Sequence, residues 1–187
     1  MDVQIVAVVV AAVVLLPVIA VVISYNRFVG QRNLIHNSWA NVDTELRRRY
    51  DLIPNLVETV KGYAAHERSV FEMVTEARSR AMASVGPVAE QAAAERGLVD
   101  GVRRLFAVAE NYPDLKASVH FVELQRELAN TENRIQAARR FFNNNVRDYN
   151  RRVQSVPSNV VAGWFRFGEE EYFEVDEAVR IAPEVVT

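Results

Sequence analysis

Apolar residues follow two patterns along the chain. From Val3 to Ile23 they are continuous apart from Gln4, and beyond Tyr25 they recur at intervals of three and four. The first pattern predicts a transmembrane helix over 1–24, because about twenty apolar residues rising about 1.5 Å each span the roughly 30 Å hydrocarbon core. A cleaved signal peptide fits poorly. No Lys or Arg precedes the run, Asp2 is acidic, and the run exceeds the usual apolar region of such peptides. Pro17 removes one backbone donor within the span. Ala7 and Ala11 form a small-xxx-small pair of the kind that lets helices approach, though such pairs arise by chance in an Ala/Val-rich span.

The second pattern predicts helices with buried seams, in the manner of a bundle or coiled coil. Phe28, Ile35, Trp39, Val42 and Leu46 share a face of the first, and Leu56, Val60, Tyr63, Glu67, Val70, Val74, Ala77 and Ala81 mark a second. Leu98, Val102, Leu105, Ala109 and Tyr112 mark a third. Phe121, Leu124, Leu128, Ile135, Phe142, Val146, Tyr149 and Val153 mark a longer fourth. Breakers at 51–54, 84–87, 112–114 and 156–158 separate them. The expected fold is all-α: a transmembrane helix continuous with an antiparallel four-helix bundle over 25–156. Residues 157–167 then form a short apolar segment, and 168–187 an extended acidic tail.

RRRYDLIPNLVETVKGYAAHE, from Arg47 to Glu67, reads as the membrane-distal corner. Asp51 is placed to cap the second helix and Pro54 falls in its first turn, where a missing N–H is harmless. A helix running on through a kink at Pro54 is the alternative. Arg47 lies about 35 Å past Ser24 on a continuous helix, too far to reach headgroups. With four antiparallel helices, the end of the last returns to the bilayer. Arg27, Arg32, Trp164, Phe165 and Phe167 are therefore candidate membrane-interface residues. The competing reading folds 157–167 over the open end of the bundle.

Charge adds orientation. No cation precedes the apolar run and Arg27 and Arg32 follow it, which predicts a short external N-terminus and a cytoplasmic C-terminal domain. Residues 168–187 carry seven acidic residues against the single Arg180, below a body richer in arginine. Such a tail either docks on that body or stands away from it. The absence of cysteine excludes disulfides, thiolate metal sites and cysteine nucleophiles.

Catalytic patterns are missing. No Gly-x-Ser-x-Gly, Walker loop, Gly-x-Gly-x-x-Gly or His-Glu-x-x-His occurs, and none of His36, His66 and His120 follows a Glu at three residues. No catalytic, cofactor or metal residues are therefore nominated. The arginine clusters alternate with carboxylates, which argues for solvated helix faces and against nucleic acid. What stands out is polar residues in the seams: Glu67 on the second, and Thr131, Glu132 and Asn133 interrupting the fourth. Asn33, Asn37 and Asn41 line one face of the first. Buried carboxylates need partners such as Arg78, Arg139 or Arg49. The candidate polar network is Glu67, Arg78, Glu132, Asn133 and Arg139. Its plain role is fixing helix register, and its sharper alternative is a ligand- or metal-sensing site.

These residues carry a resemblance. YNRFVGQRN, SWANVD, YDLIPNLVETVKGYAAHE, AENYPDLKA, LANTENRIQAARRFFNNN and VPSNVVAGWF, in order over about 25–167, resemble the bacterial LemA family. Val156-Pro157 departs from the commoner Phe-Pro, and the tail is not diagnostic. The resemblance implies a single N-terminal membrane helix with a helical-bundle domain, and it supplies no catalytic residues to carry over. Links of some relatives to magnetosome membranes imply membrane or envelope organisation. The function expected is therefore a non-enzymatic scaffold or interaction module in a membrane, touching the lipid bilayer and either protein partners or further copies of itself.

Overall fold

The computed structural model describes residues 3–84 and 86–174. Six helices occur among them: α1 (Val3–Lys61), α2 (Arg68–Ala83), α3 (Val88–Ala109), α4 (Pro113–Lys116), α5 (Val119–Gln154) and α6 (Ser158–Phe165). No strand is found among the described residues. α1 opens with the apolar run, whose window of highest mean hydropathy, 3.1, has none of its residues buried. Val8, Val13 and Leu16 stand 66–68% exposed. This helix is long and apolar enough to cross a bilayer and fits a single-pass membrane anchor.

The corner expected at 51–54 is not there. α1 continues through Pro54 to Lys61, and the turn falls at 62–67. The reason is local. A proline at 54 cannot donate to the carbonyl of Tyr50, the helical acceptor four residues earlier. Arg78 of α2 supplies the missing donor, its Nε lying 2.7 Å from that oxygen. The helix instead stops at Gly62, a weak helix former, where the N–H groups of Tyr63 and Ala64 both turn back to the carbonyl of Val60. Ala64 is buried at this corner. The seam traced from Leu56 to Ala81 is thus divided between α1 and α2, and Glu67 becomes the residue before α2.

The chain divides into two compact units. The first joins the residues up to Ser38 with Asn144–Glu170. Its core holds Phe28, Ile35, Val146, Tyr149, Val161 and Ala162. After α6, Arg166 takes the left-handed conformation (φ 57°) and reverses the chain, with the Phe167 N–H reaching back 2.9 Å to the Ala162 carbonyl. A non-glycine residue pays about 1 kcal/mol for that conformation. Phe167 is what the reversal delivers: its ring stacks on Phe28 at 4.8 Å, while Tyr25 meets Phe165 edge-on at 4.8 Å. Asn150 then brackets Glu170, its amide nitrogen donating to the main-chain carbonyl and its oxygen accepting from the N–H, both at 2.9 Å.

The second unit comprises Trp39–Asn143 and the described residues from Glu171. α2 packs on α3 where Gly101 faces Val74; a Cβ at 101 would lie 3.4 Å from Val74 Cγ2. Leu46, Ile53, Leu56, Val74, Leu98, Leu105 and Leu128 fill the core. Phe173 is buried against Trp39, ring centres 5.2 Å apart, and Asn143 brackets its backbone at 2.9 and 3.1 Å. The tail expected over 168–187 has neither helix nor strand as far as Glu174, and its remainder lies outside the described residues.

Candidate functional site

A buried polar cluster lies within the second unit, built from positions that continue the helix seams. On α1 the series Val42, Leu46, Arg49, Ile53, Leu56, Val60 steps by four and three, so Arg49 takes a core position. On α3 the series Gln91, Glu95, Leu98, Val102, Leu105 does the same for Gln91 and Glu95. The Arg49 guanidinium donates through Nη2 to Glu95 and through Nη1 to Glu132 Oε2 at 3.0 Å. The Tyr50 hydroxyl donates to the other Glu95 oxygen, as does Gln91 Nε2 at 2.8 Å. Gln136 Nε2 approaches Glu132 Oε1 at 3.4 Å. Arg49 and Glu95 side chains are 3% and 1% exposed, Glu132 15%. The cluster ties α1, α3 and α5 together through one guanidinium.

Its electrostatics follow from burial. Loss of water pulls the Arg49 pKa down from its ordinary value, and the Glu132 carboxylate opposes the shift. Arg49 Nε is buried without a partner among the described residues, a further cost. Burial also pushes the Tyr50 hydroxyl above its ordinary 10.0, against the pull of Arg49, and moves Tyr149 the same way. An unfolded tyrosine ionises near pH 10, so above that pH the unfolded state binds fewer protons than the folded one. The stability contributed is complete below pH 10 and is lost as pH rises through the raised folded value. Urea midpoints should therefore fall between pH 9 and pH 11, and the fall should be shallower in Tyr50→Phe/Tyr149→Phe. An unchanged slope in that variant would place the alkaline loss elsewhere.

Of the residues nominated from the sequence, Glu132 enters this cluster and Arg78 adjoins it through the Tyr50 carbonyl. Arg139 is buried on α5. Asn133 is exposed, as are Asn33, Asn37 and Asn41. Glu67 is half-buried before α2, with no side-chain capping bond. Among the interface candidates, Arg32 pairs with Glu170 at 3.1 Å and Phe167 packs inward on Phe28. Trp164 is 69% exposed, Phe165 is about half exposed beside Tyr25, and Arg27 is exposed. Tyr50, Gln91 and Glu95 lie outside the set picked from the sequence; extending the four-three series two steps back from Leu98 finds Glu95 and then Gln91.

An all-helical chain led by one exposed apolar helix defines a class, helical proteins carrying what fits a single-pass membrane anchor. Residues 38–186 match the model of the LemA family, and the chain belongs to that family. It is similar to magnetosome protein MamQ 2 of Paramagnetospirillum magneticum, 25% identical over 175 residues, covering 80% of this chain and 64% of the relative. Magnetosome protein MamQ of Magnetospirillum gryphiswaldense is 25% identical over 174 residues with the same coverage. Protein LemA of Metamycoplasma hominis is 23% identical over 157 residues, 83% of this chain and 71% of that protein. The chain spans just under two thirds of the length of the magnetosome relatives.

Proposed function

We propose that the chain is a membrane-anchored, non-enzymatic interaction module. Its apolar helix crosses the bilayer once, with its N-terminal end outside, and its remaining helices form an antiparallel bundle in the cytoplasm. There it binds protein partners or further copies of itself in organising a membrane. The observation that carries this reading is the continuity of α1, which runs without a break from the exposed apolar span to the buried residues Arg49, Ile53 and Val60. An anchor that is also a core element suits a protein whose work is holding something at a bilayer. Two relatives are named for the magnetosome, not for a reaction.

Cross-linking in intact membranes followed by mass spectrometry tests the module. Discrete adducts with partners or a second copy are expected; a strict monomer without adducts would remove the proposal. Protease added to intact spheroplasts should leave the C-terminal tail uncut, and digestion from outside would reverse the orientation.

A second reading draws on a cleft of about 290 Å³ whose lining includes Trp39, Asp43, Arg47, Tyr50 and Gln91. It opens onto the polar cluster at Tyr50 and Gln91, a position suited to sensing a small polar ligand. Melting of the wild type and of Glu132→Gln against a polar metabolite panel would test it, and flat curves throughout would retire it.

A further inference from the structure

A groove of about 610 Å³ in the first unit changes character along its length. On α1 its wall is Pro17, Ala20, Val21, Ser24 and Arg27, spaced by three and four on one helix face, with Ile23 at its edge. Over those ten steps, about 15 Å, the lining passes from hydrocarbon to hydroxyl to guanidinium. The opposite wall is α6, with Val160, Val161 and Trp164, and Arg152 at the end of α5 closes the polar end beside Ser158. Neither Arg27 nor Arg152 has a carboxylate partner among the described residues, although Arg32, further along α1, does. Ser24 Oγ and Arg152 Nε are buried there with no hydrogen-bond partner among the described residues. Polar groups withdrawn from water in this way are costly unless something else bonds to them.

We infer that this groove is a binding site for one anionic phospholipid. An acyl chain would lie along Pro17, Ala20 and Val21 toward Trp164, with the phosphate between Arg27 and Arg152 and an ester or glycerol oxygen at Ser24. The order of the lining is the order of a phospholipid: hydrocarbon, ester, phosphate. Two guanidiniums suit a phosphate's acceptor oxygens. Trp164 lines the same groove, and an indole is a side chain favoured where hydrocarbon meets headgroups. A free phosphate would use the arginines but leave the apolar part of the groove without a role. The inference rests on the reading that α1 crosses a bilayer.

The test is native mass spectrometry of the full chain in detergent with phosphatidylglycerol or phosphatidylcholine at equal concentration. Phosphatidylglycerol should be retained as one molecule per chain, roughly ten- to thirty-fold over phosphatidylcholine, since each arginine near an anionic headgroup is worth about a factor of five. Arg27→Gln/Arg152→Gln should erase that preference, and Ala20→Phe, which fills the apolar wall and leaves the charges, should lower retention of both lipids. Arg27→Lys/Arg152→Lys should keep most of the preference. Equal retention of the two lipids, an Ala20→Phe variant that binds like the wild type, or displacement by millimolar inorganic phosphate would each overturn the inference. Carbonate washing of membranes separates the two readings. Release of the chain overturns the anchor and this site with it, whereas a chain that stays embedded without preferring phosphatidylglycerol overturns the site alone.

Discussion

Replacing Arg49 by alanine is expected to cost about 3–5 kcal/mol, because it leaves two carboxylates buried without their shared cation. Glu95 is the more exposed to this loss in the energetic sense, being the more deeply buried of the two. Against a typical total of about 5–15 kcal/mol the change is large, and the melting temperature should drop by roughly 10 °C or more. A neutralising swap gives the contrast: Arg49→Met with Glu95→Leu and Glu132→Met removes every charge while keeping volume. That triple variant should recover most of the loss or exceed the wild type, since well-packed apolar groups often replace buried ion clusters at no cost. Equal melting of Arg49→Ala and wild type would mean that the cluster is hydrated and contributes little.

The second large effect is expected at Arg78, and it is conditional on Pro54. In the wild type, Arg78→Met removes the donor on which the Tyr50 carbonyl depends, a loss of about 1.5–3 kcal/mol for a charge-assisted bond at a part-buried acceptor. In a Pro54→Ala background the new N–H at 54 can bond to the same carbonyl, as in any helix. The cost of Arg78→Met should then shrink below about 1 kcal/mol, leaving a coupling of about 0.5 kcal/mol or more between residues 24 positions apart. Chemical denaturation of the four proteins measures it. Strict additivity would show that Arg78 acts by some route other than this carbonyl.

These two clusters also mark where the sequence was readable and where it was not. The apolar span and the long helices α2, α3 and α5 are legible because long runs of one periodicity dominate weaker signals, with Pro87 just before α3 and Pro157 just after α5; α4 falls where a breaker was read, and α6 where only a short apolar segment was expected. Pro54 misled for a physical reason. Its usual penalty is a lost helix bond, and here that bond is remade by a side chain 24 residues away, which no local pattern contains. Gly62 carried the real stop. The polar cluster was half legible: Glu132 stood out because it interrupts an apolar seam, and Arg49 was a natural partner in reach. Glu95 and Gln91 escaped because an apolar-only seam starts at Leu98 and never reaches back to them. Glu67 had the right spacing on the wrong element, since residues 62–67 are turn and not helix.

The asparagine brackets on α5 have a consequence for how the chain can vary. Asn150 and Asn143 each engage a main-chain N–H and carbonyl, so they read the backbone of residues 170 and 173 and not their side chains. Position 170 should therefore tolerate most substitutions at the bracket, with only the Arg32 pair lost, but not proline, which has no N–H to offer. Position 173 obeys a double constraint, since its ring is also enclosed beside Trp39. A deep substitution scan would show the two as opposite profiles: permissive except for one letter at 170, and restricted to large aromatics at 173.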